Sequence, residues 1–92
     1  MQKILVVEDD APSLILTTEV LKNYNYLVVS AVDGEQALEV AERENPDLAL
    51  LDVMLPGLNG FQVCERLRSM PQFRNLPILM LTVLNEDSHR FR

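Results

Sequence analysis

The sequence has one cysteine, few basic residues and no long apolar run, and each shortage argues against a class of protein. A single cysteine, Cys64, cannot form an internal disulfide, so a reduced, cytoplasmic protein is expected. Eight Lys and Arg against fourteen Asp and Glu give a net charge of −6, which argues against a nucleic-acid-binding surface. Because no apolar run approaches the length of a membrane span or a signal-peptide core, neither is expected.

The chain has the size and composition of one folded domain. Its 92 residues are 48% hydrophobic and 24% charged, which is ordinary for a globular protein and excludes a wholly disordered chain. A chain of this length can bury one core and has no material for a second.

Four short runs, nearly all of them apolar or β-branched, predict β-strands: Ile4–Val7, Leu27–Ser30, Leu48–Leu51 and Ile78–Leu81. Continuous rather than alternating apolar residues are typical of strands that are buried on both faces, as in a parallel sheet covered by helices.

Three segments between these strands have helical periodicity. They run from Asp10 to Asn23, from Gly34 to the residue before Asn45 and Pro46, and from Asn59 to Pro71. Prolines fix two of these ends, because a residue before proline is disfavoured in a helix and a proline inside a helix lacks a donor.

The third helix is predicted to bury a stripe of residues spaced by three, namely Phe61, Cys64, Leu67 and Met70. The order of elements is therefore βαβαβαβ, which predicts an α/β fold with a parallel sheet and right-handed crossovers.

Acidic residues follow the predicted strands at the sheet edge where ligands of such folds bind. Glu8, Asp9 and Asp10 follow the first strand, and Asp52 follows the third. If these two strands are neighbours, their acidic ends share one crevice. Asp10 is expected to cap the first helix. Two carboxylates about 4 Å apart repel by about 4 kcal/mol at an effective dielectric near 20, so converging acids usually share a cation or a proton. An all-oxygen set is suited to Mg²⁺.

Asp52 stands alone between apolar residues, and a carboxylate beside a divalent cation can attack a phosphoryl group. Thr82, after the fourth strand, offers a hydroxyl for a phosphoryl oxygen, although a β-branched residue is also ordinary at a strand end. The residues alone leave both readings of Thr82 open.

The chain resembles the receiver domain of two-component response regulators from residue 3 onwards. The matching segments are KILVVEDD at 3–10, DGEQAL at 33–38, PDLALLDVMLPGLNG at 46–60 and PILMLT at 77–82. The third of these is the most specific.

The resemblance implies a flavodoxin-like fold with strand order 2-1-3-4-5 and Mg²⁺-dependent acceptance of a phosphoryl group from a sensor histidine kinase or phosphotransfer protein. Aligned position by position, Asp52 is the phosphoacceptor and Thr82 is the switch hydroxyl. Glu8 and Asp9 are the metal-binding acids, and Met54 contributes its backbone carbonyl to the metal. The domain is a signalling domain and not an enzyme in its own right.

The sequence departs from the family pattern in two ways. Val83 stands where the family usually has a small residue. The family's fifth strand and its essential lysine would fall beyond Arg92, so residues 1–92 are expected to be a C-terminally incomplete receiver domain. The fourth strand would then be an exposed edge, and we expect the isolated chain to homodimerise through it or to be unstable.

Three other functions are alternatives to this one. A flavodoxin-like nucleotide or flavin domain needs a phosphate-cradling loop after the first strand, where this chain has acidic residues. A phosphohydrolase with an aspartate nucleophile would place a second aspartate at position 54, which is Met54. A degenerate receiver that acts only as an unphosphorylated interaction or dimerisation module is the main alternative for a chain of this length.

Overall fold

The fold was analysed in a computed structural model, which describes residues 1–81. Its sheet has four parallel strands, in the order β2-β1-β3-β4. The strands are β1 (Lys3–Val7), β2 (Leu27–Ala31), β3 (Leu48–Asp52) and β4 (Ile78–Leu81). All four predicted strands are confirmed to within one residue at each end.

Three α-helices connect the strands: α1 (Ala11–Asn23), α2 (Gly34–Glu44) and α3 (Gly60–Arg68). Each begins after a side chain that caps it, because Asp10, Asp33 and Asn59 accept hydrogen bonds from backbone N–H groups in the first turn. The predicted caps at Asp10 and Asn59 are confirmed. The helix α2 ends at Glu44, as the proline at position 46 predicts.

The core lies on one face of the sheet, beneath α2 and α3. It includes Leu5 and Val7 of β1 and Ala49 and Leu51 of β3, all fully buried against residues of the two helices. Side chains alternate between the faces of a sheet, so the residues between these core positions point towards the other face. Helix α1 packs on that face, against β1 and β2.

The α1 face is more open than the sequence predicts. No residue of α1 is fully buried. In β4, Leu79 is 55% exposed and Leu81 40%. A continuous apolar run predicts burial on both faces, but this exposure is what the expectation of an exposed fourth strand predicts. The physical reason is that α1 contacts β1 and β2 and does not reach β4.

The predicted stripe on α3 is partly wrong. Phe61 is 63% exposed, and the buried positions are Val63 and Leu67, spaced by four residues. Cys64 and Met70 are half-buried against the core. The helix ends at Arg68, and a 3₁₀ turn at Pro71–Phe73 leads into β4.

Candidate functional site

Three carboxylates meet at the carboxyl ends of β1 and β3. Glu8 and Asp9 directly follow β1, and Asp52 is the last residue of β3. The two strands are adjacent and parallel, with Val7 paired to Leu51. Carboxylate oxygens of the three acids, one from each, therefore lie within 4.8 Å of one another. The structure thus brings together the three acids that the sequence singled out.

Two of these acids are held by neighbouring backbone groups. Asp52 is 4% exposed, and its Oδ1 accepts a hydrogen bond from the Met54 N–H at 3.1 Å. Glu8 is 9% exposed, and its Oε1 accepts from the Asp10 N–H at 3.0 Å. Asp9 is exposed. The site therefore has two buried carboxylates that are held in place and one that faces solvent.

Burial raises the pKa of Glu8 above its ordinary value, because the charged form loses solvation. The Asp10 N–H acts in the opposite direction, and the nearby charges of Asp52 and Asp9 raise the pKa further. The cluster therefore carries an electrostatic cost in the absence of a cation.

Within residues 1–81, both salt bridges involve Glu44, which is paired with Lys3 and Arg43 away from this cluster. The acidic cluster contains only oxygen donors, and its acids repel one another. A hard divalent cation such as Mg²⁺ fits this donor set, because it coordinates carboxylate oxygens and offsets their repulsion.

Asp10 is separate from the cluster, as the sequence predicts. Its Oδ2 accepts hydrogen bonds from the Ser13 N–H at 3.0 Å and from the Ser13 hydroxyl at 2.6 Å. These bonds lower the pKa of the Asp10 carboxyl. Its role is to cap α1.

The loop between β3 and α3 closes on itself beside Asp52. The Gly60 N–H donates to the Val53 carbonyl at 3.0 Å, and the Met54 side chain is exposed. In the sequence Gly60 is only the last residue of the matching segment 46–60, and a glycine at a helix start does not predict a close contact with a strand end. Thr82 and Val83, also singled out in the sequence, lie outside the described residues.

An open cavity of about 300 Å³ lies apart from the three acids, none of which lines it. It lies between the loops that precede α2 and α3 and is lined by Asp33, Glu35, Pro56, Gly57 and Leu58.

The sequence profile of the response regulator receiver domain matches residues 4–92, and the chain belongs to this family. The chain is 49% identical over 86 residues to the alkaline phosphatase synthesis transcriptional regulatory protein PhoP of Bacillus subtilis. That match covers 94% of this chain and 35% of PhoP. The curated relatives it matches are thus much longer, and the chain spans 20–40% of their length.

Solved receiver structures share the fold. The chemotaxis response regulator CheY4 of Vibrio cholerae has a TM-score of 0.88 and 31% identity, over 99% of this chain and 76% of that one. The receiver domain of the sensor histidine kinase PA1611 from Pseudomonas aeruginosa has a TM-score of 0.86 and 33% identity, over 99% and 75%. Its structure holds a magnesium ion coordinated in the active-site cleft. The predicted flavodoxin-like fold, with strand order 2-1-3-4, is confirmed.

Receiver domains are signalling domains of two-component systems that bind Mg²⁺ at an acidic site. Among the helices of residues 1–81, none is both long and apolar enough to cross a membrane.

Proposed function

We propose that residues 1–92 act as a receiver domain in which Asp52 accepts a phosphoryl group, with Mg²⁺ held by Glu8, Asp9, Asp52 and the Met54 carbonyl. The observation that carries the proposal is the convergence of three carboxylates within 4.8 Å, at the carboxyl ends of adjacent strands, in a chain that belongs to the receiver family. The donor is a sensor histidine kinase or a phosphotransfer protein, and a cytoplasmic location is part of the same proposal.

The chemistry assigned to Asp52 is nucleophilic attack by one carboxylate oxygen on phosphorus. An O–P bond forms, the bond from phosphorus to the donor nitrogen breaks, and the donor keeps the electron pair and takes up a proton. The Met54 N–H, bonded to Oδ1, fixes the plane of the carboxylate before the attack. Mg²⁺, when bound, supplies positive charge that offsets the repulsion between these acids and the phosphoryl oxygens.

Glu8 and Asp9 act through charge and position. Glu8 is oriented by the Asp10 N–H, so its carboxylate faces the cluster without rearrangement. Asp9 is exposed and completes the donor set from the solvent side. The assignment of Thr82 as the hydroxyl that senses the phosphoryl group still rests on the family resemblance.

The test of Asp52 uses a small-molecule phosphodonor such as acetyl phosphate, with Mg²⁺ present, and intact-mass measurement of the product. The wild-type protein should gain one alkali-labile phosphoryl group, and Asp52→Asn, which keeps the shape of the side chain, should gain none. Asp10→Asn is the matched control and should be phosphorylated as the wild type is, since asparagine also caps helices well. Phosphorylation of Asp52→Asn at the wild-type level would assign the role to another residue.

A second candidate is an interaction module that pairs with another copy through β4, and the exposure of Leu79 and Leu81 favours it. Among the described residues, β4 pairs only with β3, so its other edge offers backbone donors and acceptors. Light scattering should then show a dimer in the wild type and a monomer in Leu79→Lys. The control is Leu27→Lys, an exposed position on β2 at the opposite edge. A monomeric wild type, or equal dissociation by both variants, would exclude this candidate.

A further inference from the structure

The first residue of α3 lies against the strand end that carries Asp52. A Cβ built on Gly60 would overlap the carbonyl oxygen of Asp52, and it would lie 3.0 Å from the Val53 Cα and 2.8 Å from the Met80 Cε. The Met80 methyl is the end of a flexible side chain and can move aside. The main chain of Asp52 and Val53 is held in the sheet and cannot, since Asp52 pairs with Leu81 and the Val53 N–H donates to the Leu81 carbonyl.

The same glycine closes the loop that carries Met54. Its N–H donates to the Val53 carbonyl at 3.0 Å, which joins the start of α3 to the residue after Asp52. Met54, the next residue, donates its own N–H to Asp52 Oδ1. A displacement of α3 away from β3 would therefore pull on the peptide that orients the carboxylate.

Helix propensity gives no reason for glycine at this position. Alanine is the more favourable residue in a helix, by up to about 1 kcal/mol in an interior position. Gly60 has no left-handed backbone conformation that would demand glycine, unlike Gly57 with φ of 72°. The close approach to the Asp52 carbonyl is the remaining physical reason for its lack of a side chain.

We propose that Gly60 is a positioning residue for the phosphoryl-acceptor site. Its lack of a side chain allows the first turn of α3 to contact the main chain of Asp52 and Val53, and this contact sets where the Asp52 carboxylate and the Met54 N–H lie. The inference deepens the function proposed for Asp52 and rests on it.

The test compares Gly60→Ala with Leu67→Ala by amide NMR of the intact protein, first without metal and then with increasing Mg²⁺. Leu67 is fully buried in the same helix, so its truncation destabilises the fold without adding an atom near Asp52. Gly60→Ala should shift the amides of Asp52, Val53 and Met54 before metal is added. It should also raise the Mg²⁺ dissociation constant about tenfold, the low end of the effect of groups that orient metal ligands. Leu67→Ala should lower the unfolding midpoint and leave that dissociation constant unchanged.

Two further variants keep the inference testable. Asn59→Ala removes the capping box with Gln62 and loosens the same first turn without adding a Cβ. If Gly60→Ala does not fold, Asn59→Ala carries the test, and it should move the same three amides and weaken Mg²⁺ binding. Met80→Ala in the Gly60→Ala background removes only the flexible contact, so it should not restore Mg²⁺ binding.

Unchanged Mg²⁺ affinity in the folded Gly60→Ala variant, or in Asn59→Ala if that variant carries the test, would overturn the inference. So would an equal loss in Leu67→Ala, or full restoration by Met80→Ala. If the wild type shows no saturable Mg²⁺ shifts, the proposed function fails instead. The role of Gly60 is then tested by the amide shifts that the variant causes at residues 52–54 without metal. If these shifts are absent, the positioning role is refuted.

Discussion

The two ends of the sheet hold acidic side chains in opposite electrostatic states. At the amino end, Lys3 Nζ lies 3.0 Å from Glu44 Oε1, and the Lys3 backbone N–H donates to Asp47 Oδ2 at 2.8 Å. At the carboxyl end, Glu8 and Asp52 are more deeply buried, and the charges that act on Glu8 are those of the Asp52 and Asp9 carboxylates. The less exposed acids are thus the ones without a cationic partner among residues 1–81.

This difference separates acids that stabilise the fold from acids that form a site. The pKa of Glu44 is lowered, first by the hydrogen bond from Lys3 and then by that from Arg43, so its ionised form stabilises the folded state. The pKa of Glu8 is raised, so its ionised form destabilises the metal-free fold. Ionisable groups whose pKa is shifted in the direction that destabilises the fold are typical of functional sites.

The largest predicted effect is on Mg²⁺ affinity at the carboxyl end. Asp9→Asn removes a proposed ligand from the cluster and should weaken Mg²⁺ binding by at least about tenfold, because losing even a group that only orients a ligand costs about 10- to 100-fold. Asp10→Asn is one residue away and should have little effect, because its side chain caps α1. The Mg²⁺ affinity of each variant is measured from the rise in its thermal unfolding midpoint as Mg²⁺ is added. An equal loss in the two variants would contradict the placement of the metal-binding pair.

A smaller effect is expected on stability without metal. Glu8→Gln keeps an acceptor for the Asp10 N–H and removes one charge from the cluster. It should raise the free energy of unfolding by about 1 kcal/mol at neutral pH. This is the lower limit of the repulsion energy between two like charges about 4 Å apart. Urea denaturation in EDTA tests this. Destabilisation by Glu8→Gln would show that the cluster carries no electrostatic cost.

The two ends should respond to pH with opposite sign. The folded-state pKa of Glu8 lies above its ordinary value of 4.5, so its contribution is fully present below that value and is lost as the pH rises through the raised pKa. For Glu44 the contribution is present above 4.5 and is lost as the pH falls through the lowered pKa. The gain in stability from Glu8→Gln should therefore vanish in acid. A difference in the free energy of unfolding between Glu8→Gln and wild type that stays the same from acid to neutral pH would contradict this.

The smallest effect is expected at the amino end. Glu44→Gln removes the charge partner of Lys3 and should destabilise the fold slightly above pH 4.5, since exposed ion pairs contribute little. Mg²⁺ affinity should not change. A change in Mg²⁺ affinity in Glu44→Gln would contradict the claim that only the carboxyl end of the sheet binds the metal.

Much of the fold and of the acidic cluster could be predicted from local signals. Apolar runs and capping residues set the strands and helix starts. The strand order implied by the family resemblance makes β1 and β3 neighbours, which places Glu8 and Asp52 at one edge. The exposure of Phe61 could not be predicted, because its three-residue spacing to Cys64 competes with the four-residue spacing of Val63 and Leu67. The close contact of Gly60 with the Asp52 carbonyl is tertiary, and the matching segment 46–60 contains this glycine without showing what it contacts.

The most direct test of the account is an NMR titration of the intact wild-type protein with Mg²⁺. We expect saturable amide shifts at Glu8, Asp9 and the residues around Asp52, and none at Lys3 or Glu44. Saturable shifts at the amino end, or no saturable response at the three carboxylates, would contradict the assignment of the carboxyl end as the metal and phosphoryl-acceptor site.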